Sequence, residues 1–494
     1  MLASDLVRAA ATEPGCPWPR HVLSHEDWTQ MAALLADEAT LALLGLWADT
    51  VQVHALLLDE AASDVLLAST PVVAGGYPAL SPARPLAAWF ERMVRDLWGH
   101  TAAGGTDQRP WLEHGHWPHT QPMAPRPGPG SGSPEPPEML NVDDEALYQI
   151  PLGPVRGGTE PAAHLRITAR GETIVRLETR LGYTHKGALT LMRGKSPRTA
   201  ARFAARLSGD ATVAHSLAFA LATEAALATK APPRASSLRA VMAEMERIAG
   251  HLGDLCAVAE AAGLAIPAAR CAWHAEGIRR AGGVAFGHRL MMDSVVPGGV
   301  AADIMPGGPE AVLRALTDLA AELPDLRQRL ASGTLTGIGT ITPVQAAWFA
   351  AGGPIGRAAG RDFDARRVAG NALHGPSAIP VLAAGDAEAR TGVRLAELTE
   401  STRLLRSLLA ALPAGAVSVA LPADSGEGAG VAEAGRGDVW YWLRLDHGLI
   451  ASVFARDPAW AHWPLLEAAS VGTQVSDLAL TLASLGLTSS GMDL

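Results

Sequence analysis

The sequence predicts an α+β fold: a small N-terminal α/β domain, a linker, and a large domain whose central helical bundle is flanked by β-sheet. Three observations carry this. A Pro/Gly/Ser tract, QPMAPRPGPGSGSPEPPE from Gln121, holds almost nothing to bury and reads as an extended linker over 121–140. From about Ser196 the chain turns Ala/Leu/Arg-rich with a helical period. Stretches with strand-like alternation lie before and after those helices. The 494 residues are 48% hydrophobic and 18% charged, ample for a sizeable core across two to four domains at about 150 residues each.

In residues 1–120, apolar stretches near Leu34–Leu46 and Val51–Leu58 precede PLAAWFERMVRDLWG. There Trp89, Phe90, Met93 and Leu97 fall on one helix face. In residues 141–494, AAHLRITARGETIVRLETRLGY reads as a strand pair turning at Gly171. PRTAARFAARL, VAHSLAFALATEAALA and PRASSLRAVMAEMERIAGHLGDLCAVAEAAG read as helices, with Pro232 and Pro233 at the start of the last. PEAVLRALTDLAAELPDLRQRLASG and EARTGVRLAELTESTRLLRSLLAAL follow as helices, and VWYWLRLDHGLIASVFARD returns to strand.

A net charge of −10 argues against nucleic acid as a partner. The three cysteines, Cys16, Cys256 and Cys271, form no C-x-x-C pair, which excludes a disulfide framework and a thiolate metal site. No run of 18 apolar residues and no charged-then-apolar N-terminal pattern occurs, so neither a membrane span nor an export signal is expected.

Several segments together resemble the superfamily joining nickel–iron hydrogenase large subunits to the quinone-pocket subunit of respiratory complex I. They are GPVRGGTEPAAHLRI, LETRLGYTHKGALTLMRGK, AARLSGDATVAHSLAFALATE, PPRASSLRAVMAEMERIAGHLGDL, GHRLMMDSVVPGGVAAD, GDAEARTGVRLAELTES and EAGRGDVWYW, in that order. The resemblance is greatest to the formate-hydrogenlyase and hydrogenase-4 branch, in which a domain like complex I's smaller peripheral-arm subunit is fused in front. WFERMVRDLWGH and DQRPWLEHGHWP resemble that domain.

The resemblance implies a subunit of a membrane-associated oxidoreductase complex, NADH/quinone-linked or hydrogenase-4-like. It also implies a small iron–sulfur partner subunit, antiporter-like membrane subunits, and a cytoplasmic position on the inner face of the membrane. Clusters would reside in the partner, with no cofactor held by this chain alone. In a working hydrogenase of the group, four cysteines hold nickel and iron. Those positions here read Ser208, Ala211, Thr488 and Gly491. Hydroxyls do not replace thiolates, whose pKa near 8.5 makes them available as soft anionic ligands, so no metal is expected.

The complex I branch implies instead a quinone between a His and a Tyr. His164 matches the His, but Gly209 stands at the Tyr position, so another residue would have to supply the second donor. Asp210, His215 and Glu224 are candidate proton-path or cavity groups, each set against a capping, core or solvent-exposed role. Arg156, His185, Lys186, Arg357 and Arg436 are candidate cavity or interface cations. Glu244, Arg247 and His251 share one helix face and are expected to form a buried ion network. The alternative reading of the chain is a non-catalytic scaffold of such a complex.

Overall fold

The computed structural model describes residues 1–142, 144–155, 162–331, 333–368 and 380–494. Mixed helix and sheet appear as expected. Near the N-terminus five strands form one sheet in the order Ala11–Glu13, Arg20–Val22, Asp64–Pro71, Gln52–Asp59, Leu41–Ala48. Arg20–Val22 runs parallel to Asp64–Pro71, and the other neighbours are antiparallel. The sheet is therefore mainly antiparallel, unlike the expected α/β layout.

The run LALLGLWA has no polar face because both sides of its strand are covered. The helix Ala87–Trp98 packs against this strand. Trp47 stacks on Phe454 at 4.5 Å, and Phe90 stacks on Trp460 at 4.5 Å. At Gly45 a Cβ would stand 3.0 Å from the Phe454 ring. Backbone pairing crosses too: Cys16 N donates to Glu427 O at 3.1 Å, and Ala429 N donates to Cys16 O at 2.8 Å. One hydrophobic core thus runs through both of the expected domains. The Pro/Gly/Ser tract between them is mostly exposed, yet it is pinned at buried Met123, whose N–H donates to Leu97 O at 2.8 Å.

The strand pair around Gly171 is His164–Arg170 against Thr173–Arg180, and Tyr148–Leu152 adds a third antiparallel strand. The helices Thr212–Ala226, Pro233–Ala261, Ala265–Phe286, Gly308–Leu330 and Ala387–Ala410 make the bundle. Ala265–Phe286 was not among the expected helices; Gly277, Gly282 and Gly283 weaken its helical signal. A C-terminal antiparallel sheet follows, Gly426–Ala434, Gly437–Asp446 and Leu449–Arg456, and then the helices Ala459–Ser470 and Leu478–Leu485.

One contact explains how helix and sheet meet. The first C-terminal strand reads GEGAGVAEA, placing Gly426, Gly428 and Gly430 on one face. The Thr212 helix lays Ala218, Ala222 and Ala226, one turn apart, across that face. A Cβ on Gly426 would stand 2.1 Å from Ala226 O, and one on Gly428 would stand 2.2 Å from Ala222 O. Strand and helix therefore touch backbone to backbone, which only this glycine–alanine pairing allows.

Gly430→Ala should lower stability by about 1–3 kcal/mol, since overpacking forces backbone to shift and its Cβ would stand 2.4 Å from Ala222 N. Gly277→Ala, in a helix with no heavy atom within 4 Å of the new carbon, should raise stability by about 0.5–1 kcal/mol. Urea midpoints of the two variants should move in opposite directions; a shared direction would count against the close-contact account.

Candidate functional site

The loop Ser208–Ala211 enters the Thr212 helix, and the turn at Gly435–Arg436 leaves the strand beneath it. Because helix and strand are flush, the two loops meet. They border a cavity of about 710 Å³ lined by Asp210, Asp254, Arg436, Trp463, Thr488 and Ser490 among others. A small void of about 20 Å³ lies deeper, bounded by Ser208, Ala211, Asp210, Arg436, Asp457 and Thr488. Ser208, Ala211 and Thr488 therefore come together at the void from opposite ends of the large domain, and Gly491 lies against Asp457 on its wall.

Charge fills the place of thiolates. Arg436 forms ion pairs with Asp210 and with Asp254, the latter at 2.9 Å. Asp210 also accepts a hydrogen bond from Ser208 Oγ. Asp254 is buried, and that burial pushes its carboxyl up to about 6 against the pull of Arg394. Gly486 closes this corner: its φ is +63°, and a Cβ there would stand 2.7 Å from the Asp254 carboxylate.

Behind the void sits a closed chain of polar contacts. His215 is fully buried; its Nε2 lies 2.9 Å from Asp457 Oδ2 and its Nδ1 lies 3.1 Å from Tyr441 Oη. With Tyr441 donating to Nδ1 and Nε2–H donating to Asp457, one neutral tautomer satisfies all three groups. Burial is the largest single influence and opposes the charge on Asp457, but His215, the Ala459 N–H and Arg436 together outweigh it and hold the carboxyl below its usual value. The Asp457 carboxylate stands 2.2 Å from the Cβ that any side chain at 491 would carry. The fourth ligand position is thus already filled by a carboxylate.

A second cavity of about 450 Å³ opens on the other side of Asp210, between the Pro233 and Ala265 helices. Glu246 borders it. Its carboxylate accepts from the N–H groups of Val213 and Ala214 at 2.6 and 2.9 Å, capping a helix that lacks a side-chain cap of its own. Burial pushes the Glu246 carboxyl up to about 7.

The other expected site residues are placed elsewhere. His164 starts its strand opposite Arg180 and does not line these cavities; burial lowers its pKa, with Arg166 and Arg180 adding to the effect. Arg156 lies outside the described residues. His185 does not line the cavity as expected: it stacks on Trp117 at 4.8 Å, and its Nδ1 donates to Asp493 O at 2.6 Å. Lys186 donates to Ser490 O at 2.8 Å.

Glu224 is buried, not solvent-exposed, and lines neither cavity. It pairs with Arg239 through both oxygens, at 3.1 and 2.5 Å, and accepts from Gly298 N at 2.7 Å. Arg357 is likewise no cavity residue. It is completely buried among Glu397, Glu433 and Asp364 at 2.6–3.2 Å. His251 meets Glu397 at 2.8 Å and Arg247 meets Glu244 at 3.2 Å, so this face holds a buried ion network. An unpaired charge would be costly at such depth, which is why these groups bond one another instead of facing the cavity.

Sequence reading missed Asp254, Asp457, Tyr441 and Trp463. Asp254 had a signal, since it follows His251 by three on the same helix. Tyr441 and Trp463 look like core aromatics and carried none.

A nickel–iron centre does not fit these residues. No thiol lines the cavity or the void, Asp457 blocks position 491, and buried Cys271 is pushed up to about 12. Among the described residues no group of three His, Cys, Asp or Glu could hold a metal ion. Arg436, Thr488 and Ser490 share this cavity with the apolar faces of Trp463, Leu482 and Leu487.

Residues 274–427 match the family model described as the respiratory-chain NADH dehydrogenase 49 kDa subunit. Formate hydrogenlyase subunit 5 of Escherichia coli K12 is 27% identical over 438 residues, covering 83% of this chain and 75% of that protein. A subunit of the NADH-quinone oxidoreductase of Acidiphilium cryptum is 30% identical over 289 residues, covering 57% of this chain and 71% of that protein. A structure of the membrane-bound sulfane sulfur reductase, an archaeal respiratory membrane complex, superimposes with a TM-score of 0.67 at 25% identity. It covers 72% of this chain and 100% of its counterpart.

His215→Leu should destabilise the protein by about 3–5 kcal/mol, because it strands Asp457 as a buried charge. Adding Asp457→Asn should recover part of that loss. The wild-type pair stabilises above pH ~3.8 and weakens as pH falls through the lowered Asp457 value, so His215→Leu should show less acid sensitivity. Thermal unfolding of the three variants between pH 7 and pH 3 reads all of this, and additive losses in the double variant would contradict the pairing.

Proposed function

We propose a function from one premise: the chain belongs to the family of the respiratory-chain NADH dehydrogenase 49 kDa subunit. In this reading it is a subunit of a membrane-bound, complex I-like respiratory complex that works without a nickel–iron centre of its own. It docks on a small iron–sulfur subunit, which holds the clusters, beside antiporter-like membrane subunits on the inner face of the cell membrane. No helix among the described residues is long and apolar enough to cross a membrane.

The observation that carries this reading is the fate of the ligand positions. They still converge, but on Arg436 braced by Asp210 and Asp254 instead of on a metal. A cavity bordered by a fixed guanidinium, hydroxyls and an indole suits a polar, flat ligand with two carbonyl acceptors. Arg436, with Thr488 or Ser490, would hold a quinone there, and the quinone would supply the electron-accepting chemistry. The chain's own part is to orient and to exclude water: the two carboxylates fix the guanidinium plane, and Trp463 covers one wall. Asp254, with its carboxyl raised to about 6, is a proton-holding group at the same guanidinium.

One observation favours the scaffold alternative. Asp210 is spent on Ser208 and Arg436, and His164, the residue matched to the quinone-holding His, does not line the cavity.

Purification of the intact membrane complex separates the two. The catalytic reading expects a co-purifying iron–sulfur subunit and nickel at background. It also expects a fall of about tenfold or more in quinone-linked turnover for Arg436→Met with assembly unchanged. Full turnover in an assembled Arg436→Met complex would leave the scaffold reading standing. Stoichiometric nickel would overturn both.

A further inference from the structure

We propose that the second cavity, between the Pro233–Ala261 and Ala265–Phe286 helices, binds the anionic headgroup of an acidic phospholipid, with Arg279 and Arg289 as its cationic contacts. The inference does not depend on the quinone reading, because it concerns the far side of Asp210 and a different set of side chains.

The charges in this cavity do not cancel. Asp210, Glu246, Arg279 and Arg289 border it, and their engagement is unequal. Asp210 is consumed by Arg436 and Ser208. Glu246 spends both carboxylate oxygens on the helix N–H groups of Val213 and Ala214. Arg289 has one acid, Glu276. Arg279 makes no ion pair or hydrogen bond among the described residues, although it is partly buried. Burial and the neighbouring Arg289 both act against its charge, with Glu276 the one group opposing them. A partly desolvated guanidinium without an anion is a defect that an incoming anion would repair.

The rest of the wall is apolar. Met245, Ile278, Leu290, Met291 and Ala249 line the same 450 Å³. Inorganic anions gain nothing from such a wall, whereas an acyl chain attached to a phosphate gains with every methylene it buries there. Methionine pairs suit a chain of variable shape.

The surrounding surface agrees. On the Ala265 helix, Arg270 pairs with Glu322 of the following helix and Arg280 with Glu276, whereas Arg279 has no ion pair among the described residues. Arg270, Arg280 and Arg289 are all exposed. On the same helix Trp273 is 76% exposed, an unusual place for an indole in water and a favoured one at a lipid headgroup layer. Trp273 borders a separate cavity on the same helix; at the pocket itself, the apolar wall and Arg279 describe a site for an acidic headgroup with its acyl chain.

The test uses the full chain and vesicle flotation. Vesicles rich in phosphatidylglycerol should bind about tenfold more tightly than pure phosphatidylcholine vesicles. Arg279→Gln should weaken phosphatidylglycerol binding about tenfold, the worth of one charge-assisted contact. Arg329→Gln, which removes an exposed arginine paired with Asp325 on another helix, should change it by less than about twofold. Ala249→Leu narrows the apolar wall and should weaken a soluble short-chain phosphatidylglycerol in calorimetric titration while leaving the charge untouched. The proposal fails if Arg279→Gln binds vesicles like wild type, or if both vesicle types bind alike. It also fails if inorganic phosphate binds as tightly as the short-chain lipid. Loss of a protein partner with unchanged vesicle binding in Arg279→Gln would assign the cavity to an acidic side chain of that partner and overturn the lipid reading.

Discussion

The backbone-to-backbone contact between Gly426, Gly428 and Gly430 and the Ala218–Ala222–Ala226 face governs the geometry of everything near it. A helix seated directly on a strand has little freedom to slide or tilt, because any shift drives a carbonyl into a neighbouring Cα. Seating the Thr212 helix this way fixes the loop before it, which carries Ser208 and Asp210. Seating the strand fixes the turn after it, which carries Arg436. His215, within the same helix, is thereby held against Tyr441 of the next strand and Asp457 beyond the third. The two cavities, the void and the His215–Tyr441–Asp457 chain all follow from one close approach.

Around that contact the interior is unusually rich in charge, and the charges solve each other's burial. Arg357, Glu397, Glu433, Asp364, His251 and Glu244 belong to one network that joins the Pro233 helix, the Ala387 helix and the first C-terminal strand. Removing a member would strand its partners, so the network locks packing more than it adds stability. The Arg436 cluster differs in being at a cavity edge, where ligand can compete with the acids. A metal site needs soft anionic donors, and here a hard, permanently cationic group with two carboxylates occupies that position.

Legibility in the sequence followed physical type. Long helices such as Pro233–Ala261 and Ala387–Ala410 were readable because a run of helix-favouring Ala, Leu, Arg and Glu is a local signal. That Ser208, Ala211, Thr488 and Gly491 carry no thiol was readable because residue identity needs no coordinates. Arg357 and Glu224 were misplaced for one shared reason: a charge in a motif segment looks the same whether it faces a cavity or a buried counter-charge. Asp457 was invisible, since its role comes from lying against His215, 242 residues earlier.

The sequence by itself determined the α+β class, the near-absence of thiols and the family resemblance, because composition, period and motif order are carried by neighbouring residues. It also determined that strand and helix could touch, through glycines two apart and alanines four apart. Which groups share a cavity was decided only in three dimensions, where Arg436 lies between Asp210 and Asp254 and Arg279 is left without an anion. Coulomb interaction and desolvation depend on distance and burial, and the order of residues along the chain specifies neither until the chain is folded.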